Sequence, residues 1–221
     1  MYANSFRMVT ILLLKQLNRD LLMKQEHSLK ILLASSSPRR LQILQEHGIF
    51  AVVMPANIEE IQEKGEGAKA YVTRLAREKA QAILPQISIE STDLILAADT
   101  TVAYESHILE KPQDAKDAYR MLTMLSGKTH EVYTGFALIF LPEQRLYVDC
   151  VTTKVTFHEL SKQQIQDYID SGDPFDKAGG YGIQKVRDSF VKEIAGSYYN
   201  VMGLPIEEIL KKISFECAEE L

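Results

Sequence analysis

The chain has little cysteine and no excess of positive charge. Its 221 residues include only Cys150 and Cys217, which lie far apart and outside any Cys-x-x-Cys spacing. This scarcity excludes a disulfide framework and a cysteine-ligated zinc site, and it predicts a reducing, cytoplasmic location. The formal net charge of −5 disfavours nucleic-acid binding by neutralisation of phosphates over a broad surface. Any site for an anion must therefore be local.

Long apolar runs are also missing at the N-terminus. Residues 8–14 are largely apolar, but the next residues include the charged Lys15, Arg19 and Asp20, and no small-residue cleavage site appears. The run is too short to span a bilayer and does not fit a signal peptide, so no membrane partner is expected. We interpret residues 1–28 as an N-terminal extension, either disordered or a miscalled start, and residues 29–217 as the folded part, which is long enough for a single domain or two small lobes.

Strand-like and helix-like segments alternate along the rest of the chain. Predicted strands occupy residues 29–34, 51–54, 94–98, 131–141, 146–157 and 189–194, with a small hairpin over 101–111. Predicted helices occupy residues 38–47, 68–84, 114–125, 161–171 and 205–213. The alternation predicts an α/β protein with a mixed, twisted sheet flanked by helices.

The first chemically capable motif comes directly after the first strand. In Ser35-x-Ser37-Pro38-Arg39-Arg40, Ser37 is the predicted helix cap and Pro38 the first helical residue. The N–H groups of a helix N-terminus attract phosphate, serine hydroxyls add donors, and arginines clamp phosphate oxygens in pairs. The alternative is an ordinary capped helix with two solvated arginines.

A carboxylate comes directly after the apolar residues 94–98. We expect Asp99 where this strand leaves its sheet, able to activate water or to bind a divalent cation. Glu59 and Glu60 can share that cation, since oxygen ligands suit Mg²⁺. The alternatives are a carboxylate that caps a turn and a solvated acidic loop.

Single lysines and a glycine-rich segment complete the candidates. Lys79 and Lys111 can each reach a phosphate as point charges, although a lysine is more often a surface residue. Residues 176–184 contain three glycines, which suit close approach of the backbone to a ligand or a flexible loop. There, Lys177 can meet phosphates and Gln184 can bind the edge of a base.

Taken together, these residues resemble the Maf family of nucleoside triphosphate pyrophosphatases over about residues 29–213. The resemblance implies hydrolysis of a nucleoside triphosphate to the monophosphate and pyrophosphate with Mg²⁺, Mn²⁺ or Co²⁺. It also implies a Maf/Ham1-like, ITPase-like α/β fold with a central cleft between two lobes, and a homodimer. The matching segments are Ser35-x-Ser37-Pro38-Arg39-Arg40, Ile58-Glu59-Glu60, Leu75-Ala76-x-x-Lys79-Ala80, Ala98-Asp99-Thr100, Glu110-Lys111-Pro112, Ser126-Gly127, Asp176-Lys177-Ala178-Gly179-x-Tyr181-Gly182-Ile183-Gln184 and Gly203-Leu204-Pro205.

Three positions resemble the branch of the family that acts on dTTP and UTP. They are Arg39, Thr100 and Gln184, and family members that prefer 7-methyl-GTP differ at all three. An amide such as Gln184 offers a donor and an acceptor, which a pyrimidine edge can pair. The chain departs from the usual family pattern at Ser36, where glycine is common, and at Gly180, where alanine is common.

The resemblance also implies roles for the individual residues. Asp99 is the general base or the metal ligand that activates water, and Glu60 helps to hold the metal. The substrate-binding residues are Ser35, Ser37, Arg40, Lys79, Lys111 and Lys177, and the specificity residues are Arg39, Thr100 and Gln184. Two alternatives stay open: a non-catalytic regulator of septum formation that binds another protein, and a pyrophosphatase for other non-standard nucleotides such as inosine triphosphate.

Overall fold

The structure is a computed structural model that describes residues 29–219, with side chains described through Glu216. The predicted N-terminal extension, residues 1–28, lies outside the described residues. Within the part described, no helix combines the length and the apolar character needed to cross a membrane.

The strands of the described residues form one seven-stranded sheet with helices packed on it. The strands are β1 (Ile31–Leu33), β2 (Ala51–Val53), β3 (Leu94–Tyr104), β4 (His107–Leu109), β5 (Thr129–Phe140), β6 (Arg145–Phe157) and β7 (Val191–Ala195). The helices are α1 (Pro38–Glu46), α2 (Ala68–Ile83), α3 (Ala115–Leu125), α4 (Lys162–Asp170), α5 (Ile183–Val186), α6 (Tyr198–Met202) and α7 (Ile206–Glu219). Short 3-10 turns lie at Leu84–Gln86, Ile89–Ser91, Asp173–Asp176 and Ala178–Gly180.

The sheet is mixed, as predicted. Its order is β2-β1-β3-β5-β6-β7, and β4 pairs with β3. Strand β1 runs parallel to both of its neighbours, whereas β3 through β7 pair in antiparallel fashion. The predicted capping box of α4 is also confirmed, since Ser161 and Gln164 bond reciprocally to the backbone. The α/β fold expected from the sequence is therefore confirmed.

The sheet opens along one edge of β3. On the opposite edge, β5 pairs with β3 from Leu94 to Ala103. On the open edge, β1 pairs only with Leu94–Leu96, and β4 pairs only with Val102–Tyr104. Among the described residues, residues 97–101 therefore have no strand partner on this edge, and a cleft forms there.

This pairing corrects the prediction for Asp99. The strand does not end at residue 98 but continues to Tyr104, so Asp99 lies in its middle, opposite Gly135 of β5. The β-branched residues Thr100, Thr101 and Val102 favour this continuation. It is the parallel pairing with β1 that ends near Asp99. Helix α7 likewise extends past the predicted end at residue 213.

Helix α2 covers the face of the sheet beside this opening. Its buried residues include Leu75, Ala76 and Lys79. A Cβ atom at Gly135 would lie 2.4 Å from the carbonyl oxygen of Val72, so only glycine allows the helix backbone this close to β5. The contact holds α2 against the strand that pairs with Asp99, and so brings Lys79 near that carboxylate.

Candidate active site

A cleft of about 380 Å³ lies at the opening beside β3. Its walls come from β3, the start of α1, the loop before α2 and the glycine-rich segment. It is lined by all eleven residues to which the resemblance assigns a role, whereas Glu59, the other candidate for the cation, is not among its lining residues; the eleven are Ser35, Ser37, Arg39, Arg40, Glu60, Lys79, Asp99, Thr100, Lys111, Lys177 and Gln184. The structure brings these residues together, while their individual roles stay predictions.

The first turn of α1 forms one wall of the cleft. Ser37 is the N-cap residue and Pro38 begins the helix, as predicted, but the Ser37 hydroxyl makes no capping hydrogen bond. The N–H of Ser37 instead donates to the hydroxyl of Ser35 at 3.2 Å. The loop thus folds back on itself, and no side chain caps the N-terminus of a helix that lines the cleft.

Arg40 is buried and holds three segments around the cleft. Its guanidinium donates to Ser35 Oγ at 2.9 Å, to the carbonyl of Gly203 at 2.8 Å and to Thr100 Oγ1 at 3.2 Å. Burial lowers the pKa of Arg40 and outweighs the opposing effect of Asp99, yet an arginine keeps its charge at neutral pH. Arg40 and Thr100, assigned to separate roles by the sequence, therefore form one unit.

Two carboxylates converge on one ammonium group in the cleft. Lys79 Nζ lies 2.6 Å from Glu60 Oε1 and 2.6 Å from Asp99 Oδ1. We call these three residues the Lys79 cluster. Burial alone would raise the pKa of Glu60, but the hydrogen bond and charge of Lys79 outweigh it, so the pKa lies below its usual value. The cluster places two ionisable oxygen ligands around a single point.

The donor set of the cleft suits a hard cation. Carboxylate oxygens are what Mg²⁺ binds, usually one or two of them together with water and substrate phosphates. Among the described residues, no three His, Cys, Asp or Glu side chains are grouped so as to hold a metal ion. Glu60 and Asp99 thus fit a metal whose remaining ligands come from outside the protein.

Glu110 is a cleft residue that received no predicted role, although it stands in the matching segment Glu110-Lys111-Pro112. It lines the cleft and accepts a hydrogen bond from Thr101 Oγ1 at 2.8 Å. Burial raises its pKa, and the charges of Asp99 and Glu60 act in the same direction, against the hydrogen bond from Thr101. Its position directly before the candidate Lys111 is the sequence feature that could have identified it as a cleft residue.

Asp176 is a second residue that was missed. Its Oδ2 accepts from Arg39 Nη1 at 2.8 Å, its carbonyl accepts from Arg39 Nη2 at 3.3 Å, and its other carboxylate oxygen contacts Lys177 Nζ. Asp176 thus joins two predicted cations across the mouth of the cleft. The signal was an acidic residue beside Lys177 in the glycine-rich segment.

The glycine-rich segment packs tightly against β3. At Gly179, φ is +70° and a Cβ atom would lie 2.8 Å from Val102 Cγ2, so this glycine is explained by close packing within the protein. Tyr181 also lines the cleft, and its hydroxyl lies 2.7 Å from Nε2 of the buried His130. Burial lowers the pKa of His130 to about 3, so this histidine is neutral and structural.

The chain is similar to known proteins over most of its length. The family model described as Maf-like protein matches residues 30–214. A dTTP/UTP pyrophosphatase of Koribacter versatilis is 45% identical over 181 residues, covering 82% of this chain and 91% of its own. Proteins of the same name from Clostridium perfringens and Salmonella typhimurium are 44% and 48% identical, covering 84% and 82% of this chain and 96% and 90% of their own. The Ham1 protein of Staphylococcus aureus gives a TM-score of 0.47 at 11% identity, covering 85% of this chain and 99% of that one.

Proposed function

This chain belongs to the Maf family, and on that premise we propose that it hydrolyses dTTP and UTP to the nucleoside monophosphate and pyrophosphate. The relatives that carry this activity in their names match more than four fifths of the chain. The observation that carries the proposal is the Lys79 cluster, where two carboxylates and a lysine meet inside a cleft lined by further cations.

The proposed chemistry uses Asp99 as the base. A water molecule attacks the α-phosphorus, its oxygen forms the new P–O bond, and Asp99 takes its proton. The bond between the α-phosphorus and the bridging oxygen breaks, and pyrophosphate leaves with the electron pair. Lys111 and Lys177 neutralise the charge that develops on the phosphate oxygens, which is the main catalytic task in phosphoryl transfer.

Glu60 and Asp99 are the proposed ligands of a divalent cation, Mg²⁺, Mn²⁺ or Co²⁺. When bound, such an ion supplies charge neutralisation for the phosphates and lowers the pKa of a bound water. Lys79, which donates to both carboxylates in the structure, holds the two groups beside each other in the cleft. Ser35 acts through Arg40, from which its hydroxyl accepts a hydrogen bond, and Ser37 donates to phosphate at the uncapped helix start.

Three residues select the base in this proposal. Gln184 pairs its amide donor and acceptor with the pyrimidine edge, and Arg39 contacts the base from the first turn of α1. Thr100 acts indirectly, because its hydroxyl already accepts from Arg40 and lies 3.0 Å from the hydroxyl of Thr134. An analogue whose edge cannot pair with the amide of Gln184 loses these hydrogen bonds and binds less well.

A pyrophosphate-release assay over a panel of nucleoside triphosphates tests the proposal. With Mg²⁺, Mn²⁺ or Co²⁺ present, we expect turnover of dTTP and UTP well above that of the purine nucleotides. A preference for inosine triphosphate would move the assignment to other non-standard nucleotides. Failure to release pyrophosphate from any nucleotide would favour the non-catalytic regulator. The homodimer, the cytoplasmic location and the two-lobed domain over residues 29–217 are proposed alongside, and light scattering in solution tests the first of these.

A further inference from the structure

A series of hydrogen bonds leads from Arg40 in the cleft into the core behind it. The Arg40 guanidinium donates to Thr100 Oγ1 at 3.2 Å. The Thr100 hydroxyl lies 3.0 Å from that of Thr134, which is fully buried on β5 and donates to the carbonyl of Asn200 at 2.9 Å. We call these four residues the Thr134 network. Neither Thr134 nor Asn200 is among the lining residues of the cleft, so the network connects the site to residues behind it.

The number of hydrogens fixes the direction of every bond in the Thr134 network. A guanidinium only donates and a carbonyl only accepts, while a hydroxyl has one hydrogen to give. Thr134 gives its one hydrogen to the carbonyl of Asn200, so the bond between the two threonines is donated by Thr100. Thr100 then has no hydrogen left, and its oxygen accepts from Arg40. Thr134 therefore determines that Thr100 faces Arg40 as an acceptor.

The end of the network at Asn200 is held in place by further bonds. Its Nδ2 donates to the carbonyl of Val132 at 3.0 Å, its N–H donates to Ser197 Oγ at 3.1 Å, and its carbonyl also accepts from the N–H of Gly203 at 3.0 Å. The carbonyl of Gly203 in turn accepts from Arg40 Nε. The turn that contains Asn200 and Gly203 thus supports the guanidinium both directly and through the two threonines.

The bonds of Arg40 leave part of its guanidinium for a ligand. A guanidinium has five N–H groups, and within residues 29–219 Arg40 gives three of them to Ser35, Thr100 and Gly203. The other two are one on each terminal nitrogen, a pair that suits two oxygens of a phosphate. Such a pair binds best when the plane of the guanidinium is fixed in advance, because ordering a free side chain costs affinity.

We propose that Thr134 is a positioning residue for substrate binding: it takes the hydrogen of Thr100, and Thr100 then holds the guanidinium of Arg40 in the orientation that binds phosphate. The inference rests on the proposed function, in which Arg40 binds the triphosphate and Thr100 acts indirectly. Thr134 itself contacts neither the substrate nor the reacting atoms. Its role is to support a bond that the substrate uses before and during the reaction.

Removal of the Thr134 hydroxyl tests the proposal. In Thr134→Val, which keeps the shape of the side chain, the KM for dTTP and UTP should rise about threefold to tenfold. The kcat should stay within about twofold, because an interaction made equally in the ground state and the transition state affects KM alone. Thr134→Ser restores the hydroxyl and should return the KM to within about twofold of the parent.

Thr153→Val is the matched control for this variant. Thr153 is as buried as Thr134, but its hydroxyl bonds to Ser197 and to the side chain of Asn200 and not to Thr100. The control should therefore unfold at a lower urea concentration than the parent and keep the parent KM. Equal KM values in Thr134→Val and Thr153→Val would overturn the proposal.

A double-mutant cycle tests whether Thr134 acts through Thr100. Once Thr100→Val has broken the network, Thr134→Val should change the KM by less than about twofold, because residues that act in one network are not additive. Increases in KM that multiply in the double variant would mean that Thr134 acts by another route, and would overturn the proposal.

A measurement without substrate separates this inference from the proposed function. In the full chain, the NMR signal of the Arg40 Nε–H, identified by its loss in Arg40→Lys, reports the bond to Gly203. Its exchange with water should be at least about threefold faster in Thr134→Val than in the parent or in Thr153→Val. Unchanged exchange in Thr134→Val would overturn the inference even if dTTP is hydrolysed. Faster exchange would support it even if no nucleotide is hydrolysed.

Discussion

Helix α2 carries two clusters in which a cation binds carboxylates, and they differ in their surroundings. In the Lys79 cluster, the lysine and Asp99 are both buried, and the pair lies in the cleft. The second cluster, which we call the Arg74 cluster, joins Arg74 to Glu63, Glu66 and Glu78 on the outside of the helix.

The positions of the two cations on the helix explain the difference. Arg74 and Lys79 are five residues apart, so at about 100° per residue they point to different sides of α2. Arg74 also donates to the carbonyl of Ile61 at 2.9 Å, and so fastens the loop that precedes the helix. Lys79 reaches across the sheet edge to Asp99 instead. Similar ion pairs therefore serve different purposes: one orders a loop, and the other is part of a site.

Replacement of Asp99 should have the largest effect, because it removes the proposed base from the Lys79 cluster. For Asp99→Asn we expect turnover of dTTP to fall about 100-fold to 10,000-fold, the usual contribution of general base catalysis. The amide has nearly the same shape and its oxygen can still accept from Lys79, so the fold should persist by circular dichroism. Glu78→Gln in the Arg74 cluster is the control and should stay within about twofold of the parent. Equal losses of dTTP turnover in the two variants would show that the two clusters do not differ in their importance for catalysis.

Removal of the lysine should change the pH dependence as well as the rate. In Lys79→Met, burial continues to raise the pKa of Glu60, while the lowering by Lys79 is lost. That pKa should therefore rise, and the acid limb of the pH–rate profile should move to higher pH. The rate itself should fall at least about 10-fold, as when a charge-stabilising donor is removed.

The same variant predicts the pH dependence of stability. A carboxyl group whose pKa is lowered by folding stabilises the protein above its unfolded pKa, and this stabilisation is lost as the pH falls through the folded pKa. In the parent protein Glu60 contributes stability in this way. Part of the loss of stability that the parent shows at acid pH should therefore disappear in Lys79→Met. Urea unfolding at neutral pH and near pH 4 measures the difference. As a control, Arg74→Met should leave the acid limb of the pH–rate profile at the same pH as in the parent. An acid limb that does not shift in Lys79→Met would refute the argument.

Much of this architecture is visible in the sequence because it depends on local signals. Pro38 and the capping box of Ser161 and Gln164 fix helix starts through neighbouring backbone groups. The eleven predicted site residues could be found because each lies within, beside or just after a helix or strand whose hydrophobic pattern is clear in the sequence. The prediction failed at the end of β3: residue types near Asp99 cannot reveal that β1 stops pairing at Leu96 while β5 continues.

Contacts between side chains that lie far apart in the sequence were harder to predict. Asp176 binds Arg39 across 137 residues of sequence, and that contact depends on how the glycine-rich segment packs on Val102. Gly135 gave no sign that the backbone of α2 would approach it. In the same way, the acidic loop before α2 places Glu60 in the cleft, whereas its Glu63 and Glu66 bind Arg74. Which of these glutamates enters the cleft depends on the path of the folded loop, and the sequence alone does not reveal that path.

Asp176 tests whether exposure or location decides the importance of an ion pair. Its side chain is 63% exposed, much like Glu63 of the Arg74 cluster, but its partner Arg39 lines the cleft. Because an exposed pair is worth little in stability, Asp176→Asn should unfold at nearly the same urea concentration as the parent. If location matters, the KM for dTTP should change about threefold to tenfold, with kcat within about twofold. Asp173→Asn, in the same turn, is the control; equal KM values in both variants would mean that exposure decides.

Arg74→Met should have the smallest effect on catalysis. The exposed carboxylates of Glu63 and Glu78 contribute about 0.2–1 kcal/mol each, and the Glu66 side chain is only 9% exposed beside Arg74, so we expect the free energy of unfolding in urea to fall by at least about 1–2 kcal/mol. The loss should shrink in 1 M salt, where the Debye length is only about 3 Å. Activity should stay within about threefold of the parent, because Lys79 and Tyr71, whose hydroxyl donates to the carbonyl of Glu60, still hold Glu60 at the cleft. A loss of turnover as large as that of Lys79→Met would show that the Arg74 cluster positions the carboxylates of Glu60 and Asp99, and that the two clusters act as one.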